Sequence, residues 1–166
     1  MTPTLSQQLL DHGGLPSAAR RVVLEAARRA WRSTQARDGA KPLKGRHLAI
    51  AARDHGSPSA LLFERAATGL GARVSHIGPE AVHVGDGRDE IAARLLGSLY
   101  DAVDCAALPA EAARQLQRIA GVPVFSDLGG DDSPLRALLP ALALESPDDP
   151  DTLLHLVQAV LLETVA

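Results

Sequence analysis

Between His47 and Ser126 short apolar runs alternate with stretches of helical period, and this alternation restricts the fold more than any other feature of the chain. The runs His47–Ala52, Arg73–Ile77, Ala102–Ala107 and Val122–Ser126 read as strands. The stretches Ser57–Leu70, Asp89–Leu99 and Ala110–Ile119 read as helices, with Gly71 as the stop of the first. Asp132-Ser133-Pro134 opens a further helix, with a cap residue followed by proline in the first turn. Strands separated by helices must run parallel, because each crossover returns the chain to the same sheet edge. The expected fold is therefore a three-layer αβα domain with a mainly parallel four-stranded sheet.

Two amphipathic segments flank this unit. Ser17–Arg37 is expected to be a long helix, with Pro16 ahead of it and Gly39 behind it. Val22, Val23, Leu24, Ala26, Ala27, Ala30 and Trp31 share its apolar face. Arg20, Arg21, Arg28, Arg29 and Arg32 lie opposite, as a solvated basic stripe rather than a surface for an anionic partner. Near the other end, residues 149–165 are expected to form a helix with Asp149 as its cap and Pro150 in its first position. Leu153, Leu154, Leu156, Val157, Val160, Leu161, Leu162 and Val165 cover most of its circumference, so it must pack back on the rest of the domain. Residues 1–166 thus read as a single domain with that helix folded onto it.

Composition excludes several classes of function. A chain of 166 residues is long enough to bury a core, and with aromatics at 2% that core must be Ala, Leu and Val. A formal net charge of −3 gives no global attraction to nucleic acid or to a membrane surface. The single cysteine, Cys105, allows neither an internal disulfide nor a cysteine zinc site, and its apolar surroundings suit a buried structural thiol. No apolar run approaches the ~20 residues of a membrane span. The Met-Thr-Pro-Thr-Leu-Ser start lacks the basic and apolar regions of a signal peptide, so a cytoplasmic location is expected.

Several motifs, in order and spacing, resemble the carbamoyl-phosphate-binding N-terminal domain of the aspartate and ornithine carbamoyltransferases. They are Lys41-Pro42-Leu43-Lys44-Gly45-Arg46-His47-Leu48-Ala49, Phe63-Glu64 leading to Leu70-Gly71-Ala72, Ala93-Arg94-Leu95-Leu96 with Tyr100-Asp101-Ala102-Val103, and Gly121-Val122-Pro123-Val124. Leu153–Leu162, with His155 and Gln158, resembles the family's closing helix, which returns from the second domain to the first. About ten residues stand where the amino-acid-binding second domain normally lies, so a natural internal deletion is the expectation.

The resemblance implies a reaction that rests on cations and hydrogen-bond donors, because the enzymes hold carbamoyl phosphate, polarise its carbonyl and neutralise the departing phosphate. The family's phosphate loop reads Ser-Thr-Arg-Thr-Arg. Here those places hold Gly56, Ser57, Pro58, Ser59 and Ala60, so Pro58 and Ala60 stand for the two arginines. The Met-Ile-Arg-Thr motif aligns with Asp104-Cys105-Ala106-Ala107, and the His-Pro-X-Gln motif with Ser133-Pro134-Leu135-Arg136. Each lost cation costs several kcal/mol of order where the phosphate is desolvated. No catalytic residue is therefore assigned. A remnant anion site remains as a candidate, made of Ser57, Ser59, Ser133 and Arg136 around a helix start. The plainer reading is that Ser57-Pro58 caps the helix.

Other candidates are weaker. His55, His76, His83 and Asp54 fall near strand ends, but their spacing does not demand a metal, and neither metal nor cofactor is expected. Asp86-Gly87-Arg88-Asp89 reads as a turn and helix cap, in a Gly-rich loop that in the family reaches a neighbouring subunit's site. The leading expectation is a catalytically degenerate protein acting by assembly or by binding a small anion. The alternative is an enzyme of changed chemistry on the remnant loop. Expected partners are copies of itself, as a trimer by resemblance, or a paralogous carbamoyltransferase, and neither nucleic acid nor membrane.

Overall fold

The computed structural model describes residues 2–11, 13–83, 87–106, 108–145 and 147–166. Its centre is a four-stranded, wholly parallel sheet in the order β2-β1-β3-β4, with β1 His47–Ala51, β2 Arg73–Ile77, β3 Ala102–Cys105 and β4 Val124–Phe125. The pleat sends Leu48 and Ile50 of β1, with Ala102 of β3, to one face. There they meet α2 (Ser17–Ala36), α3 (Pro58–Gly69) and α7 (Thr152–Thr164). Ala49, Ala51, Val103 and Cys105 point to the other face, toward α4 (Gly87–Leu99) and α5 (Ala110–Ala120). The domain is a three-layer αβα fold, as the strand–helix alternation requires.

The α2–α7 seam explains why so few aromatics suffice. Ala19, Val23, Ala26, Ala27 and Ala30 are buried on α2, and these small side chains let the two helix backbones approach closely. Val22, read as part of that face, is 40% exposed, because the seam is narrower than the apolar arc of the sequence. The basic stripe is not simply solvated. Arg28 pairs with Glu145 at the end of α6 (Leu139–Glu145), and Arg29 pairs with Glu163 of α7 at 3.0 Å. Two arginines thus clip neighbouring helices onto α2.

Helix α7 carries seven consecutive buried residues, His155 to Leu161, and fills the groove between α2 and α3. It starts at Thr152, later than the Asp149-Pro150 signal indicates. Asp149 instead closes a turn ahead of the helix: its Oδ1 accepts the Asp151 N–H at 3.0 Å, and its Oδ2 meets Nδ1 of His155 at 2.7 Å. Asp151 takes the cap position. Two further elements bracket the sheet. A short helix α1 (Leu5–Leu9), closed by a Thr4–Gln7 capping box, was not expected from the sequence. Ser133 caps a 3-10 turn, Pro134–Leu138, that runs into α6. The edge strand β4 is two residues long, and its Val124 N–H donates to Gln117 Oε1 instead of to another strand. The expected loop at Gly85 and Asp86 and the strand end at Ala107 lie outside the described residues. Among the described residues no helix is long and apolar enough to cross a membrane.

Candidate functional site

Strand order locates the first place to look. From β1 the chain passes to β2 on one side and later to β3 on the other, so the loops leaving β1 and β3 diverge and open a crevice at the carboxyl edge of the sheet. On the α4–α5 side this crevice is a cavity of about 220 Å³ lined by Ala51, Arg53, Glu80, Val82, His83 and Cys105. Its floor is apolar. Burial and the neighbouring Asp104 push the Cys105 thiol far up, so it is an inert wall residue and not a nucleophile.

On the opposite face the β1–α3 turn is built for helix capping. Ser57 Oγ accepts the Ala60 N–H at 3.3 Å, Pro58 holds the first helical position, and Asp54 Oδ1 accepts the Gly56 N–H at 2.9 Å. Ala60 is 2% exposed and belongs to the core beside Phe63, whereas Pro58 is exposed. Ser59 is half-buried, and its hydroxyl has no hydrogen-bond partner among the described residues. The rings of His55 and His76 stack at 4.6 Å and 7°, and His76 Nε2 lies 3.1 Å from Glu64 Oε2. Among the described residues His55 Nδ1 is buried without a hydrogen-bond partner. His83 stands apart in the crevice, so two of the three histidines singled out by sequence meet. Among the described residues no three His, Cys, Asp or Glu side chains are placed to hold a metal ion.

The ends of β3 and β4 bring in residues that the sequence reading passed over. Asp104 is 1% exposed inside β3, and its Oδ1 accepts the Leu128 N–H at 3.0 Å. Burial pushes its carboxyl up to about 7. The Leu128 and Asp127 amides work against that shift, and the Asp127 charge adds to it. Asp127 sits at φ +55°, and among the described residues its Oδ1 is buried without a hydrogen-bond partner. Its Oδ2 lies 2.0 Å from where a Cβ on Gly130 would stand, so any larger residue at 130 would have to displace the Asp127 carboxylate. Arg136 holds this turn together: Nε donates to the Gly130 carbonyl at 2.9 Å, a second nitrogen approaches that of Gly129 at 3.5 Å, and the guanidinium pairs with Asp131 at 3.3 Å. Ser133 Oγ accepts the Leu135 N–H at 3.3 Å.

The four candidate residues therefore occupy two adjoining loops. Gly129 bridges the loops: a Cβ placed on it would come within 3.2 Å of the Ser59 carbonyl. Three of the four are already engaged, Ser57 and Ser133 as caps and Arg136 as a loop clamp. A signal for Asp104 existed in the sequence, since it is the only charge within the four-residue strand Ala102-Val103-Asp104-Cys105. Nothing local marked Asp127.

No family model matches the chain. It is 32% identical over 103 residues to the ornithine carbamoyltransferase of Cutibacterium acnes, a match covering 61% of this chain and 31% of that protein. It is 28% identical over 130 residues to the catabolic ornithine carbamoyltransferase of Pseudomonas putida, covering 78% and 39%. Among solved structures, the ornithine carbamoyltransferase of Pyrococcus furiosus superposes with a TM-score of 0.70 at 20% identity, over 88% of this chain and 47% of that one. The catalytic subunit of aspartate transcarbamoylase from M. jannaschii gives 0.67 at 20%, over 95% and 57%. The chain is thus similar in sequence to ornithine carbamoyltransferases over most of its length, and in fold to ornithine and aspartate carbamoyltransferases. It spans about a third of the length of these curated relatives.

Proposed function

We propose that this chain is a carbamoyltransferase-like protein that does not transfer carbamoyl groups and acts in the cytoplasm through ligand binding and assembly. One observation carries the reading. Where a departing phosphate needs cations, the chain has Pro58, Ala60 and Ala106, and the same sheet edge carries the carboxyl groups of Asp104 and Asp127. A phosphate dianion placed there loses its ion pairs and meets charge of its own sign. Arg136 does not compensate, because its donors face the carbonyls of Gly129 and Gly130 and the Asp131 carboxylate. In this reading the remnant set of Ser57, Ser59, Ser133 and Arg136 keeps the shape of an anion cradle. Ser57 and Ser133 use their hydroxyl oxygens as acceptors, Ser59 adds a hydroxyl with no hydrogen bond among the described residues, and the one cation of the set, Arg136, already has protein partners. Purified protein given carbamoyl phosphate with ornithine or aspartate should form no citrulline or carbamoyl-aspartate. Product above background that disappears on Ser57→Ala or Ser59→Ala would overturn the proposal.

Assembly is the second half of the reading. Ile91, Leu95 and Leu99, four residues apart on α4, are 73%, 56% and 55% exposed and form an uncovered apolar stripe. We assign this stripe to self-association, with a trimer as the expected form and a paralogous carbamoyltransferase as the alternative partner. Light scattering of the purified chain at micromolar concentration should give an oligomer mass that falls in Leu95→Glu. A monomer mass for the unaltered chain would refute it.

A further inference from the structure

We propose that a second cavity, at the sheet edge opposite the candidate site, binds a small organic anion: a carboxylate carried on a short apolar body. The cavity holds about 300 Å³ and lies where α2 and α3 end against α7. This is the size range of pockets that take small molecules. Ala30 and Leu70, at 7% and 8% exposure, and Leu162 form its apolar part. Gln158 of α7, 7% exposed, brings a carboxamide into the wall and donates to the Ala66 carbonyl at 3.4 Å.

Helix carboxyl ends normally favour cations, because their last carbonyls are free. Here the helix-end carbonyls that line the cavity already accept hydrogen bonds. In α2 the Ser33 and Thr34 oxygens accept the Asp38 and Arg37 amides. In α3 the Ala66 and Ala67 oxygens take Leu70 N–H, Thr68 takes Gly71 N–H, and Gly69 takes Nζ of Lys41 at 2.9 Å. Leu70 accepts the Leu43 amide. The charged side chains that line the cavity are Arg29, Arg37 and Lys41 against Asp38. Asp38 is spent locally: its carboxylate accepts Ser33 Oγ at 2.6 Å and the Ala40 N–H at 3.0 Å. Arg29 is shared with Glu163.

Both cations line the cavity. Arg37 occupies the left-handed cap position of α2, φ 51° and ψ 39°, where glycine is usual. Its guanidinium has no partner among the described residues. Lys41 packs over Gly71, which has φ +96°, and its Nζ is held at the rim by the Gly69 carbonyl at 2.9 Å. A carboxylate at the rim would meet Arg37 and the spare N–H groups of Lys41, while an apolar tail covers Ala30, Leu70 and Leu162.

The test uses the full, isotopically labelled chain titrated with hexanoate, 1-hexanol and hexylammonium, followed by amide chemical shifts. Hexanoate should give saturable shifts in the millimolar range or tighter, confined to Ser33–Lys41, Gly69–Leu70 and the Gln158 side chain. The alcohol and the amine should bind at least roughly tenfold more weakly, as loss of a charge-assisted contact predicts. Arg37→Gly with Lys41→Gln should weaken hexanoate by a similar factor. Glycine suits the left-handed position, so this variant keeps the helix end, and unchanged shifts elsewhere confirm its fold. The inference is overturned by the absence of saturation, by equal binding of the alcohol or the amine, by shifts centred elsewhere, or by a folded variant that binds as before.

Discussion

Asp104→Asn should remove a loss of stability that sets in as pH rises toward neutrality. The folded state holds the Asp104 carboxyl at about 7, against 3.8 for the free group, mainly because burial disfavours its charge. The sign follows from proton counting. Below 3.8 both folded and unfolded chains carry the proton, and Asp104 adds nothing. Between 3.8 and about 7 the folded state binds a proton that the unfolded state has released, so stability falls as pH rises. Above about 7 the full penalty is present and constant. The gap between the two values corresponds to about 4 kcal/mol, a large share of the ~5–15 kcal/mol that holds a typical domain together. Asparagine keeps an oxygen for the Leu128 N–H, now at 3.0 Å, and removes the ionisation. It gives back roughly 1 kcal/mol through the weaker neutral hydrogen bond. Urea titrations at pH 8 should therefore show the variant more stable by about 2–3 kcal/mol. At pH 4.5 the difference should nearly vanish, because the folded wild type is then neutral at this site. A difference independent of pH, or a wild type that is the more stable at pH 8, would refute the reasoning.

Two further substitutions probe neighbouring features. Asp127→Gly removes a left-handed non-glycine residue, a buried oxygen without a partner and a charge acting on Asp104. After the entropy of glycine is subtracted, a gain of about 1 kcal/mol at pH 8 is expected in the same urea assay. Asp149→Ala strips the buried His155 of its 2.7 Å partner and opens the turn before α7. It should cost about 1–3 kcal/mol and raise amide exchange in the first turn of α7, as read by hydrogen exchange.

The sheet was legible in the sequence because its short apolar runs and helical stretches alternate cleanly, and His47, Arg73 and Ala102 begin strands as expected. The apolar character of α7 was equally plain. Boundaries failed where side chains compete with the backbone. Asp149 caps a turn instead of the helix because His155 and the Asp151 amide are both within its reach, a contact spanning six residues that no local propensity encodes. Of the candidate site, the residues aligned with the resembled phosphate loop could be read position by position. What Arg136 does could not be read, since its partners are backbone carbonyls that exist only once the Asp127–Gly130 turn has formed. Asp127 hides for the same reason: nothing in Ser126-Asp127-Leu128 predicts a positive φ.

Packing also decides whether arginine can stand at positions 58 and 60, where the resemblance aligns the two arginines of the phosphate loop. Pro58 is exposed at the start of α3, and arginine there should fold normally, with stability changed by no more than about 0.5 kcal/mol. Ala60 differs. It is 2% exposed and lies in the core that includes Phe63, so an arginine must either bury its charge or push α3 off the sheet. Overpacking alone costs about 1–3 kcal/mol, and an unpaired buried cation adds several kcal/mol. Ala60→Arg is therefore expected to lower the urea midpoint sharply or to yield insoluble protein, while Pro58→Arg should match the parent. Both variants expressed and melted side by side decide the matter. If Ala60→Arg proves as stable as Pro58→Arg, the side chain at position 60 is not committed to the core. If the two diverge as expected, position 60 is committed to the core, and arginine there cannot be accommodated without displacing α3.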